Sequence, residues 1–314
     1  MNDRPQKAET DQGKPASAGK ARLTALLDND LLSRIERLRI RGNRRFTNRR
    51  HGEHLSGRSG SSIEFSDYRN YVEGDDIRRV DWNIFARLNR PFLKLYYEEE
   101  ELHVAILLDA SSSMLFEQKL DRAKQLAAAF GVMGLLGDER VSAYGLNRTE
   151  AAPARLAPCS KRGNMMKLFA FLESITGGGD APVEKEIDMF LRFHTGRGVA
   201  ILLSDFLTFG DLRTPLNRIM SAGLEVFAIQ ILGPSEINPE LTGDVRLVDC
   251  ETEGTLDVSS ADELIRLYQD YRVAYEQNLA TLCRQRSGRF VSISSQDSIE
   301  WILFDLLRRR GWVA

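Results

Sequence analysis

At 314 residues the chain is at or beyond the length that one hydrophobic core serves, and its 42% apolar and 28% charged residues exclude general disorder. Its 43 Lys and Arg against 45 Asp and Glu leave a net charge of −2, which excludes a uniformly basic surface of the kind that coats nucleic acid. Cys159, Cys250 and Cys283 stand far apart without a CxxC pair, which excludes a disulfide scaffold and a cysteine-type zinc site and fits a reducing compartment.

Residues 1–20 are polar without apolar periodicity, and a disordered tail is expected there. Their charges surround no apolar core, so they do not read as a secretory signal. No run of 18 apolar residues occurs anywhere, so no transmembrane helix is expected and the protein reads as soluble and cytoplasmic. Residues 21–102 read as one N-terminal unit. Leu23, Leu27, Leu31, Ile35 and Leu38 recur at helical spacing and predict one buried stripe. The stripe runs into an Arg-rich stretch with Gly42 as a stop signal. From 61 to 102, short alternating and aromatic runs between EGDD and LNRP predict a small strand-rich module.

From 103 to 314, strands and helices alternate. Strands are predicted at 104–109 (VAILLD), 141–146, 199–205 (VAILLSD), 224–232 and 290–294, with VRLVDC at 245–250 as a strand near a sheet edge. Helical patterns cover 115–137, 164–174, 183–194, 211–221 and 297–309. A long stripe runs through Leu264, Tyr268, Tyr271, Tyr275, Leu279 and Leu282. Continuous apolar strands between helices predict a doubly wound α/β domain, a mostly parallel sheet with helices on both faces.

In such sheets ligands bind beyond the carboxyl ends of the strands. VAILLD is followed at once by ASSSM, giving D-x-S-x-S with Asp109, Ser111 and Ser113. VAILLSD ends in Asp205, and the loop TGGGD between them offers Thr176 and Asp180. Carboxylates with serine hydroxyls, and no His or Cys, suit Mg²⁺ or Mn²⁺ rather than Zn²⁺. Asp109 and the serines also serve as helix caps in a competing reading, and the two roles are compatible. Asp205 in the same register favours the metal site.

These residues resemble a von Willebrand factor A-type domain with its metal-ion-dependent adhesion site. The resemblance assigns Asp109, Ser111, Ser113 and Asp205 to the ion. Gly179 stands where that family has a Thr, so Asp180 or Thr176 substitutes or the ion is held weakly. Upstream, Gly74-Asp75-Asp76-Ile77-Arg78-Arg79-Val80-Asp81-Trp82 resembles the bacterial family called domain of unknown function 58, over about residues 30–310. That resemblance implies an adaptor or co-chaperone working with a MoxR-type AAA+ ATPase on a client protein.

Other motifs carry less. No G-x-x-x-x-G-K-[ST] is present. TGRGV (195–199) precedes a strand instead of following one, the wrong context for a dinucleotide fingerprint. SGRSGSS (56–62) follows no strand and reads as a flexible connection. In HGEH, His51 and His54 flank Glu53 at a spacing too weak to define a metal site. Glu73, Asp75, Asp76 and Asp81 resemble a nuclease-like carboxylate cluster. Interspersed Arg78 and Arg79 make ion pairs and Asx turns the simpler reading, with Trp82 and Phe85 anchoring the segment to the core.

Residues 33–62 hold nine Arg, no Lys and two Glu, with Phe46 as the one aromatic residue. Such a stretch suits carboxylates at a protein interface better than stacked nucleic acid. Residues 1–62 carry +7, leaving −9 for the rest, so a basic arm precedes an acidic body. The reading is a non-enzymatic interaction protein with no catalytic residue assigned. The alternatives are a metal-dependent phosphoesterase or nuclease, and nucleic-acid binding through the Arg-rich stretch.

Overall fold

The computed structural model describes residues 22–42, 47–48, 64–99, 102–147, 154–180, 183–207, 211–239, 245–248, 255–258 and 261–314. The tail at 1–20, HGEH, SGRSGSS, Cys250 and most of the Arg-rich stretch lie outside them.

The first apolar stripe forms a helix only at its centre, α1 (Asn29–Ile35), where the Asp28 carboxylate accepts from Leu31 N–H at 2.7 Å. Leu27 and Leu38 are buried from outside the helix, and Leu23 is exposed. Arg39 and Ala314 then exchange backbone hydrogen bonds of 2.9 Å, so the segment after α1 lies against the C-terminal residues. A small module follows. Strands β1 (Thr47–Asn48), β2 (Glu64–Asn70) and β3 (Phe92–Glu99) form an antiparallel sheet of order β1-β3-β2, with a short helix α2 (Trp82–Leu88) between β2 and β3.

The main sheet contains β4 (His103–Asp109), β5 (Arg140–Leu146), β6 (Ala154–Cys159), β7 (Gly198–Ser204), β8 (Leu224–Leu232) and β11 (Arg289–Ser294). Its order is β11-β8-β7-β4-β5-β6, parallel except for the β5–β6 pair. The order of strand addition switches sides at β4, with β5 on one side of it and β7 on the other, both parallel to it. Alternate β4 side chains feed separate layers. Val104, Ile106 and Leu108 join the layer of α1, α3 (Lys119–Leu136), α4 (Met165–Ser174) and the C-terminal helix at 299–309. Ala105 and Leu107 join the layer of α5 (Val183–Phe193), α6 (Arg213–Ser221) and α8 (Ala261–Arg284). Each Val, Leu or Ile side chain so buried contributes about 1.5–3 kcal/mol. A mixed α/β fold with helices on both faces of a mostly parallel sheet is therefore observed.

Three local expectations change. VRLVDC does not reach the main sheet: β9 (Val245–Val248) pairs antiparallel with β10 (Thr255–Val258) in a separate hairpin. The β6 strand escaped sequence reading because it is a largely exposed edge containing Pro158, with little apolar alternation. Trp82 anchors nothing: it is 57% exposed and meets Phe85 edge-on, ring centroids 5.9 Å apart. Among the described residues no helix is long and apolar enough to cross a membrane.

Candidate functional site: the acidic end of the sheet

Strands β4 and β7 run parallel side by side, Leu108 opposite Leu203, so their ends deliver Asp109 and Asp205 to one place. Asp109, Ser111, Ser113 and Asp205 are all buried. Asp109 Oδ1 accepts from Ser111 N–H at 2.9 Å and from Asn147 Nδ2, beyond β5, at 3.2 Å. Its Oδ2 accepts from Ser204 Oγ at 2.6 Å. Burial raises the Asp109 pKa, and repulsion from Asp205 adds to it, outweighing these hydrogen bonds. Burial likewise raises Glu186 on α5, helped by the Asp109 charge.

The helix-cap alternative does not describe this loop. The Asp109 carboxylate closes an Asx turn on Ser111. The 3₁₀ turn at Ser113–Gln118 has no side-chain cap, nor has α3, which begins at Lys119. Glu117 and Gln118 just before α3 both hold left-handed backbone, φ 46° and 59°.

Asp205 is engaged differently. Its Oδ1 accepts from Leu207 N–H at 3.0 Å, and its Oδ2 lies 2.8 Å from the Lys119 ammonium. Lys119 is fully buried and also reaches Glu236 Oε1 at 2.5 Å. Burial works to lower the lysine's pKa, but the two carboxylates outweigh it and hold it above the ordinary value. Glu236 lies in the short helix α7 (Pro234–Ile237), where its Oε2 accepts from Gly233 N–H at 2.7 Å.

The loop carrying Thr176 and Asp180 is knitted to the Asp109 loop through its backbone. Gly178 N–H donates to Ala110 O at 2.8 Å, Ser112 N–H to Gly179 O at 3.0 Å, and Gly179 N–H to Asn147 O at 3.0 Å. A Cβ on Gly177 would stand 2.6 Å from Leu115 Cδ2 and 3.2 Å from Ala110 O, so a larger residue there would push the Leu115 side chain aside and crowd the seam. Thr176 and Asp180 flank this seam and are exposed, whereas Gly179, at the position that resemblance assigns to Thr, is buried opposite Ser111.

The donor set fits a small, oxygen-preferring cation. Ser111 Oγ and Ser113 Oγ are 3.1 Å apart. Adjacent ligands of an octahedron with bonds of ~2.0–2.1 Å lie ~2.9 Å apart. Asn147 Oδ1, on the amide that donates to Asp109, is buried without a hydrogen-bond partner. Asp109 supplies negative charge on the same loop, and Asp205 is near enough to act on it electrostatically. Among the described residues no three His, Cys, Asp or Glu side chains form a metal cluster, so any ion here rests on hydroxyls as much as on carboxylates.

The second acidic group does not converge. Asp75 forms a bidentate pair with Arg69, at 2.6 and 2.8 Å, and accepts from Val72 N–H. Asp76 accepts from Arg78 N–H at 3.0 Å. Asp81 caps α2 through Asn83 and Ile84 N–H and pairs with Lys94 at 3.0 Å. The Arg69 guanidinium and the Lys94 ammonium hold Asp75 and Asp81 below the usual carboxylate range. In the described part of the Arg-rich stretch, Arg34 lies over the Phe304 ring at 4.3 Å, and Arg39 donates to the Glu36 and Leu38 carbonyls.

Sequence reading missed Lys119, Asn147, Glu186, Ser204 and Glu236. One signal pointed to Lys119: a helix apolar around most of its circumference leaves a lysine little solvent face.

A family model described as protein of unknown function DUF58 matches residues 67–280. The uncharacterized protein Mb1516 of Mycobacterium bovis is 30% identical over 275 residues, covering 84% of this chain and 85% of the relative. Among solved structures, conserved hypothetical protein BatB from Bacteroides thetaiotaomicron overlaps 67% of this chain and 98% of its own, at 16% identity and a TM-score of 0.41. A von Willebrand factor type A protein from Catenulispora acidiphila overlaps 43% of this chain and 34% of its own, at 14% identity and a TM-score of 0.34.

Proposed function

The chain belongs to the DUF58 family, and from its site we propose that it is a non-enzymatic cytoplasmic adaptor whose partners dock at the acidic end of the sheet through Mg²⁺ or Mn²⁺. The carrying observation is the pair of buried hydroxyls, Ser111 and Ser113, 3.1 Å apart beside Asp109. Ser111, Ser113, Asp109 and Asp205 hold the ion in this reading, with Asp180 or Thr176 assisting from the rim as in a metal-ion-dependent adhesion site. A bound divalent ion supplies residual positive charge and an exchangeable position that a partner's carboxylate can fill. Leu115, Phe116 and Leu207, on the loops that carry the site, are 54%, 55% and 42% exposed and supply apolar contact around it. The partner class we assign is a MoxR-type AAA+ ATPase, with a client protein delivered to it.

Isothermal titration with Mg²⁺ and Mn²⁺ tests the ion. Weak saturable heat is expected for the wild type and none for Asp109→Ala; equal heats in the two proteins overturn the site. Size-exclusion of the chain with the MoxR-type ATPase of its own organism tests the partner. A complex formed in Mg²⁺ and lost in EDTA is expected, and a complex indifferent to EDTA overturns the cation-dependent mode.

A further inference from the structure

The acidic end already contains one cation. Lys119 is fully buried in the first turn of α3, a helix buried along most of its length, so its ammonium is delivered to this point by the backbone. Its two partners differ. Asp205 is 2% exposed and belongs to the strand-end site, whereas Glu236 is 23% exposed and belongs to α7. Glu236 is held in place by its own bond to Gly233 N–H, so it can keep the ammonium if Asp205 releases it. A divalent ion seated by Ser111, Ser113, Asp109 and Asp205 meets a fixed positive charge 2.8 Å from one of its carboxylates.

We propose that Lys119 is a tethered counter-cation that competes with the divalent ion for Asp205, with Glu236 as its alternative seat. The inference rests on the divalent-ion reading above and adds what limits affinity: the lysine, and not only the glycine at position 179. Releasing Asp205 then becomes the step that loads the site.

Titration of the full chain with Mn²⁺ tests this, using wild type, Lys119→Met, Lys119→Arg and the double variant Asp109→Ala/Lys119→Met. Removing one unit charge a few ångströms away predicts Mn²⁺ binding tighter by about tenfold or more in Lys119→Met. Lys119→Arg, which keeps the charge, is expected to bind as the wild type does, and the double variant not at all. Lys119→Met binding no tighter than the wild type overturns the competition and leaves the ion site standing. No heat in any of the proteins overturns the ion site and the competition together. Thermal melting covers a folding defect. Lys119→Met is expected to melt lower than the wild type in EDTA and to regain most of the difference in excess Mn²⁺. A defect that Mn²⁺ does not relieve shows that no divalent ion takes the lysine's place, and overturns the proposal.

Discussion

Asp75, Asp76 and Asp81 sit within one short run of sequence, whereas Asp109 and Asp205 come from strands far apart in the chain. The compact run looks more like a reaction centre, yet each of its carboxylates is taken by a local partner: Arg69, the Arg78 amide, and Lys94 with the first turn of α2. The distant pair is buried in common at the sheet's end, where Asp205 helps to raise the pKa of Asp109. Density in sequence therefore marks turns and ion pairs, while convergence through strand register marks a place where charge is held against its preference. That second condition is the one associated with ligand sites.

The sharpest way to break this comparison is to remove the charge that makes the buried pair tolerable. Lys119→Met leaves Asp205 buried and without its ammonium partner. Stripping one member from a buried pair costs about 3–5 kcal/mol. Urea denaturation in EDTA is expected to show a loss of that size. A loss under about 1 kcal/mol would place the pair with surface ion pairs and erase the contrast.

Ser204→Ala comes next. It removes the 2.6 Å hydrogen bond to Asp109 Oδ2 and the acceptor for Phe206 N–H while leaving every charge in place. A hydrogen bond to a charged group is worth about 1.5–3 kcal/mol, and a loss in that range is expected by the same assay.

The pH response separates the two groups by sign. Folded Asp109 binds its proton at higher pH than it does unfolded, where the carboxyl titrates near 3.8. Its contribution therefore becomes more favourable as pH falls through the raised value, and its ionised form is the destabilising one. Asp75 and Asp81 are depressed, so their stabilisation is present above the unfolded value and is lost as pH falls through the folded one. As pH rises from about 2 to 7, Asp109→Asn is thus expected to gain on the wild type, chiefly above the unfolded value, and Asp75→Asn to lose on it, chiefly below that value. Urea midpoints at the two ends of that range, in EDTA, check both. Slopes of the same sign would show that the two groups do not differ.

Much of the sheet was legible because a parallel strand buried on both faces must be apolar without interruption, as VAILLD and VAILLSD are. Asp109 and Asp205, each at the end of such a strand, could be read as meeting only if the two strands were neighbours, a pairing the fold supplies. Lys119 and Glu236 were less legible: the apolar helix pointed weakly to Lys119, but a lysine near Asp121 and Arg122 reads as helix surface until the fold shows it buried while Asp121 stays exposed. The hairpin of β9 and β10 was misplaced because VRLV carries a strand's pattern without naming its partner, and pairing is a tertiary choice. Trp82 shows the reverse error: a large aromatic residue is not an anchor unless something packs over it.

The smallest expected effect tests the local character of the compact run. Arg69 and Asp75 form a bidentate pair that is 25% and 19% exposed, against 1% and 2% for Lys119 and Asp205, so water and salt screen it more and the side chains lose entropy to hold it. Asp75→Asn should therefore shift the urea midpoint less than Ser204→Ala does, and raising the salt should shrink the difference further. It should also leave the Mn²⁺ titration at the strand-end site unchanged, because Asp75 is committed to Arg69 and Val72 and to nothing on β4 or β7. A Mn²⁺ affinity that moved with Asp75 would mean that the two acidic groups share one field. The distinction between a capped turn and a converging site would then fail for this chain.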